Sequence, residues 1–287
     1  MKTTENKNLK IAKTIKLFIG GEFPRTESGR SAPVYFHKSK NVYAQICLAS
    51  RKDFRNAVTA AQGAQAGWQG KSAYNRSQIL YRMAEMFEAK REEFNEGLQS
   101  TLGLTAKLAQ QSIDEAIAAL VYYAGFADKY QQVLGAVNPV SGPHHNITST
   151  EAVGIVGLLA SEKFDLASFV AQLASIIVSG NAVVALMSAN GSVLLAPLAE
   201  TLATSDLPKG VVNLLTGSTE ELYKHFASHM ELNSLSIHVA DKTQLTEIKT
   251  LAAENMKRVI TANKNFVSLE HLMNFVEFKT VWHPIGY

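Results

Sequence analysis

The sequence predicts an α/β fold: a mostly parallel sheet with helices on both faces, preceded by a helical N-terminal region. Three observations carry this. Between about residues 150 and 260, short runs rich in Val, Ile and Leu alternate with helical patterns, one strand and one helix at a time. Gly, Asn and Pro fall at the ends of these units, as at Gly180-Asn181 and Leu207-Pro208-Lys209-Gly210. From residue 51 to about 134 the apolar residues recur at helical spacing instead.

Residues 1–16 form a lysine-rich arm, expected to be loose, with Lys2, Lys7, Lys10, Lys13 and Lys16. Leu17-Phe18-Ile19 reads as a short strand turned by Gly20-Gly21, and Val42–Ile46 as a second strand. Arg51 to Ala66 is helical, with Phe54, Val58 and Ala61 on one face. Ala73 to Thr101 is one long helix or a helix with a break, striped by Ile79, Met83, Met86, Phe87 and Phe94. Ala106 to Leu134 is a third, alanine-rich helical block. Residues 136–149, with Pro139, Gly142 and Pro143, read as a loop or a projecting arm.

The second half then alternates. Strands are expected at 152–158, 182–186, 211–215, 235–239 and 259–260, with helices at 167–179, 193–203, 220–227 and 246–256. Strand–helix repeats of this spacing imply parallel pairing and right-handed crossovers, a Rossmann-like layout. Fold alone does not decide function.

Composition narrows the classes. The chain has 287 residues, 46% of them hydrophobic, enough for a substantial core, and a net charge of only +3. No nucleic-acid partner is expected. The longest apolar stretches are interrupted by Glu162, Lys163 and Asp165, so no membrane span is expected either. No signal peptide is evident, and the expected location is cytoplasmic. One cysteine, Cys47, excludes an internal disulfide framework. His225 and His229 share a helical face, but Phe226, Ala227 and Ser228 between them supply no glutamate, and no metal site is expected.

Several blocks, taken in order, carry a family signature. They are Asn75 to Ala84, Tyr122-Tyr123-Ala124-Gly125-Phe126-Ala127-Asp128-Lys129, Ser179 to Val184, and Leu207 to Leu214. From about Leu17 to Ile260 the chain resembles the aldehyde dehydrogenase superfamily. Lys279-Thr280-Val281-Trp282-His283-Pro284 resembles the tail of the degenerate second unit of long, two-unit members. The resemblance implies a cofactor-type half at 150–260, a helical part at 17–135, and a tail at 261–287. It also implies a chemistry: a cysteine thiolate attacks the aldehyde, hydride passes to a nicotinamide, and a glutamate activates water.

Set against that chemistry, Cys47 precedes the whole sheet and matches no nucleophile position. Leu159 to Leu166 has neither a tryptophan nor the asparagine that the resemblance implies as an oxyanion amide. Leu186-Met187-Ser188-Ala189 carries neither of the charges implied for the adenosine ribose. Gly217-Ser218-Thr219-Glu220 spells a phosphate-side motif, but one strand too early; the matching position reads Val239-Ala240-Asp241. An anion at Gly217-Ser218 or a plain Ser/Thr helix cap are the alternatives there.

The expectation is therefore an aldehyde-dehydrogenase-like chain truncated before the catalytic domain, a non-catalytic subunit or scaffold, in short a pseudoenzyme. The alternatives are the cofactor half of a split enzyme and a stand-alone nucleotide or small-ligand binder. No catalytic residue is assigned. Ser188, Gly217 and Ser218 are the cofactor-binding candidates. High-affinity NAD or NADP binding is not expected. The apolar tail, with Phe275, Phe278, Val281, Trp282 and Ile285, suggests a homodimer or a complex with a full-length relative.

Overall fold

The computed structural model describes residues 12–238, 241–261 and 265–286. Strands β1 (Lys13–Ile15), β2 (Ser31–Tyr35) and β3 (Val42–Cys47) precede helices α1 (Arg51–Gln69), α2 (Ala73–Ala89), α3 (Arg91–Leu102), α4 (Ala106–Phe126) and α5 (Tyr130–Leu134). Strands β4 (Ala136–Asn138) and β5 (His144–Ala152) follow. The alternating part then runs β6 (Ile155–Leu159), α6 (Leu166–Val178), β7 (Ala182–Met187), α7 (Leu195–Thr204), β8 (Val212–Thr216), α8 (Thr219–Ser228), β9 (Ser234–Ile237), α9 (Lys242–Ala253) and β10 (Arg258–Thr261). The chain continues through α10 (Leu269–Met273) to β11 (Val276–Pro284).

The central sheet has the order β10-β9-β6-β7-β8 with every pairing parallel, so the fold is α/β and Rossmann-like. The strands are apolar on both faces because helices cover both faces. In β7, Val183, Ala185 and Met187 join one core with α2, α4 and α6, whereas Ala182, Val184 and Leu186 join a second core with α1 and α8. Period-2 alternation sends successive side chains of one strand into different cores. All of helix α6 except Ser168 is buried, which explains why its sequence is mostly apolar.

Of the two readings left open for Ala73 to Thr101, the structure has the helix with a break: it divides at Lys90, whose N–H still bonds back to Met86 and Phe87. Phe94 stacks on Phe87 at 4.0 Å across that break, so both helices keep one apolar face. Within the arm expected to be loose, Lys13–Ile15 pairs parallel with β3, while Phe18 bridges to Leu214. Residues 136–152 form β4 and β5, and β11 lies antiparallel on β5 with Trp282 opposite Asn146. No described helix is long and apolar enough to cross a membrane.

Candidate functional site

In an open parallel sheet, ligands bind outside the carboxyl ends of the strands. Three adjacent strand ends here open onto one cavity of about 410 Å³. Glu162 follows β6, Ser188 to Asn190 follow β7, and Gly217 to Glu220 follow β8. Ala32, Pro33, Val34, Ile46 and Leu48, from β2 and around the end of β3, form the apolar wall. The size is ordinary for a small-molecule site.

All three sequence candidates line this cavity: Ser188, Gly217 and Ser218. Ser188 is 4% exposed and its Oγ has no hydrogen-bond partner. A buried hydroxyl left without a partner costs free energy unless a ligand satisfies it. Gly217 has φ 158°, and a Cβ there would stand 3.2 Å from the backbone N of Ala49, so only glycine lets the chain pass this wall. Ser218 occupies the N-cap position of α8 but makes no capping bond, against the plain-cap alternative. At α9 the helix start is already satisfied: the Asp241 carboxylate accepts from the backbone N–H groups of Thr243 and Gln244. Val239 and Ala240, the rest of that position, lie outside the described residues.

Sequence reasoning missed Glu162 and Glu220. Glu162 lies in the segment after β6 and Glu220 in the first turn of α8 after β8, both on the carboxyl edge of the sheet, which was the available signal. They bring carboxylates into a cavity whose lining contains no Lys or Arg. Asn190 is fixed at the rim, its Nδ2 donating to the carbonyl of Glu162 at 3.1 Å.

A second constellation lies at the end of β9, the strand beside β6. Gln172 of α6 donates from Nε2 to the Ser168 carbonyl, which turns its Oε1 toward β9. That oxygen accepts from Ser236 Oγ at 3.0 Å and meets His238 Nε2 at 2.8 Å. Since Gln172 Oε1 can only accept, His238 carries its proton on Nε2 and keeps Nδ1 as an acceptor. Burial holds the His238 pKa below the usual imidazole value. Phe266 lies against the imidazole at 5.3 Å.

Cys47 ends β3, is 2% exposed, and its carbonyl accepts from Thr216 Oγ1; it does not line the cavity. Among the described residues no group of three or more His, Cys, Asp or Glu could hold a metal ion.

The fold and the cavity at its strand ends are those of a Rossmann-like α/β domain. The chain belongs to the aldehyde dehydrogenase family, whose model matches residues 23–263. Among its relatives, cytosolic 10-formyltetrahydrofolate dehydrogenase of Mus musculus is 29% identical, covering 88% of this chain and 28% of its own length. Mitochondrial benzaldehyde dehydrogenase of Antirrhinum majus is 30% identical, covering 85% of this chain and 46% of its own length. An aldehyde dehydrogenase from Bacillus cereus, solved as its NAD⁺ complex, superposes with a TM-score of 0.81 at 26% identity, over 87% of this chain and 50% of that one. The chain thus spans about half the length of this solved structure and half or less of these relatives.

These matches correct the functional expectation. A truncated, degenerate pseudoenzyme acting as scaffold was expected. The likeness instead runs without interruption through residues 23–263, to dehydrogenases along most of the chain, and not to a decayed second unit in particular. The pseudoenzyme expectation is therefore withdrawn. The expected absence of tight cofactor binding is corrected too, because the fold superposes on a dehydrogenase that holds NAD⁺. The expected homodimer or complex with a full-length relative is withdrawn as well: the chain superposes on these solved dehydrogenases along most of its own length.

Proposed function

We propose that the protein is an NAD-dependent oxidoreductase acting on aldehydes, and that this chain builds its dinucleotide site. Family membership supports the reaction class. The single observation that carries the site is the cavity at three parallel strand ends, whose lining brings Glu162, Ser188 and Glu220 together. An adenosine fits there: its ribose hydroxyls find the carboxylates of Glu162 and Glu220 and, once its shielded side chain turns outward, the Ser188 Oγ, and its base finds the apolar wall from Ala32 to Val34. When bound, NAD supplies the hydride acceptor. Carboxylates accept from a ribose 2′-OH and repel a 2′-phosphate, so this lining favours NAD over NADP. Cys47 is buried away from the cavity and has no part in the chemistry.

Calorimetric titration tests the reading. A micromolar dissociation constant for NAD⁺, with weaker NADP⁺, is expected. Absence of saturable NAD⁺ binding would overturn it.

A further inference from the structure

Helices α8 and α9 pack into the same core, through Leu222 and Phe226 of one and Ile248 of the other. Two polar links cross between them. Gln244 Nε2 donates to Glu220 Oε1 at 2.9 Å, and one turn further on Tyr223 Oη donates to Glu247 Oε2 at 2.6 Å. Each pair is 24 positions apart, so the two helices run parallel and in register. Lys224 Nζ adds an ion pair to Glu247 Oε1 at 2.6 Å.

The two links have different surroundings. Glu220 lines the cavity at the strand ends, whereas Tyr223, Lys224 and Glu247 do not. Glu220 is also exposed, and an exposed glutamate samples several side-chain rotamers. The N-terminus of α8 favours its charge without selecting a direction for it. The Gln244 amide supplies that direction by engaging one carboxylate oxygen from the neighbouring helix.

Resting on the dinucleotide reading above, we infer that Gln244 is a positioning residue that sets cofactor choice through Glu220. It does not line the cavity and acts only through the carboxylate it holds. Held at the cavity, that carboxylate accepts from a ribose hydroxyl and repels a 2′-phosphate. An amide suits the task. It donates a hydrogen bond without bringing a charge, so Glu220 keeps its full negative charge toward the cofactor. A lysine in its place would neutralise that charge and favour the 2′-phosphate.

The test titrates NAD⁺ and NADP⁺ calorimetrically into the wild type, Gln244→Leu, Glu220→Gln and the double variant, with melting temperatures recorded. For Gln244→Leu the expected result is NAD⁺ affinity weaker by about three- to tenfold with NADP⁺ affinity no worse, so that the preference for NAD⁺ narrows by the same factor. Glu220→Gln alone should narrow it too, and adding Gln244→Leu should narrow it no further, because one residue acts through the other. Glu247→Gln is the control for the contact between the helices: it should lower the melting temperature and leave the preference within about twofold. Equal losses for both cofactors in Gln244→Leu, an unchanged preference, additive effects in the double variant, or the same narrowing in Glu247→Gln would overturn the role. Should Gln244→Leu fail to fold, Gln244→Lys decides: a shift toward NADP⁺ is expected, and an unaltered preference overturns the role. A wild type that binds NAD⁺ and NADP⁺ alike overturns the role of Gln244 alone. A wild type that binds neither overturns the dinucleotide reading and this inference together.

Discussion

Arg76 donates from Nε to the carbonyl of Val178 at 3.0 Å, joining the first turn of α2 to the last residue of α6. Its Nη1 also donates to the carbonyls of Gln69 and Lys71 at the end of α1. A buried guanidinium thus satisfies orphan carbonyls at two helix C-termini, where the helix dipoles favour positive charge. Replacing it by Ala strands these carbonyls. Arg76→Ala is expected to cost about 3 kcal/mol or more in chemical denaturation, since each bond to a charged group contributes about 1.5–3 kcal/mol. Arg76→Lys should recover only part, because an ammonium cannot reproduce the fork. A loss under about 1 kcal/mol in either variant would refute the role.

His271 supplies a pH prediction. It is 1% exposed, lies edge-on to Phe266 and Phe275, and neither ring nitrogen has a hydrogen-bond partner. Burial, with a smaller push from His238, lowers its pKa to about 4. The folded state therefore binds this proton less readily than the unfolded chain. The stabilisation is full above about pH 6.5 and lost as the pH falls from there to about 4; a depression of this size corresponds to about 3 kcal/mol. Urea unfolding between pH 7.5 and 4.5 should show this acid limb. His271→Leu should flatten it and leave the melting temperature at neutral pH unchanged or higher. An unaltered limb in the variant would place the titration elsewhere.

Ser188 separates binding from stability. Its hydroxyl bonds nothing in the protein, so Ser188→Ala should leave the melting temperature unchanged or slightly raised. NAD⁺ affinity should fall by about five- to tenfold, the equivalent of one neutral hydrogen bond. A variant that loses stability while retaining affinity would show that the hydroxyl serves the fold.

The carboxylates of the cavity govern cofactor choice. NAD⁺ should bind more tightly than NADP⁺ in the wild type, and Glu162→Gln with Glu220→Gln should narrow the ratio by weakening NAD⁺ and improving NADP⁺. Competition calorimetry measures both constants. A wild type preferring NADP⁺ would contradict the placement of the ribose.

Gly157 tests the packing between β6 and its neighbours. A Cβ there would stand 2.6 Å from Leu235 Cδ2 and 2.9 Å from Phe226 Cδ1, both within a fully buried core. Gly157→Ala is expected to destabilise by about 1–3 kcal/mol through overpacking. A neutral outcome in thermal and urea unfolding would mean that the core has more slack than its burial implies.

The sequence by itself determined the α/β class, the run of parallel strands and the family. Apolar runs such as Ala182 to Leu186 and the punctuation at Gly180 and Pro208 are local signals, and local signals survive without the fold. It also singled out Ser188, Gly217 and Ser218 through the family resemblance: Ser188 as the one match to the ribose-side motif, Gly217 and Ser218 as part of a phosphate-side spelling that precedes a helix. What it could not show is that residues from three separate strand ends face one cavity. The connection between Glu162, Ser188 and Glu220 exists only after β6, β7 and β8 align in register, and that alignment is a tertiary fact. The same holds for Gln172 and His238, 66 positions apart in the chain and 2.8 Å apart in the fold. On the proposed reading, the carboxylates that replace the charges absent at Leu186 and Ala189 arrive from the ends of the neighbouring strands, where no count along one strand finds them. Pairing of β11 with β5 was likewise beyond reach, because strand pairing across more than a hundred residues depends on how the intervening chain packs, and no local pattern records that.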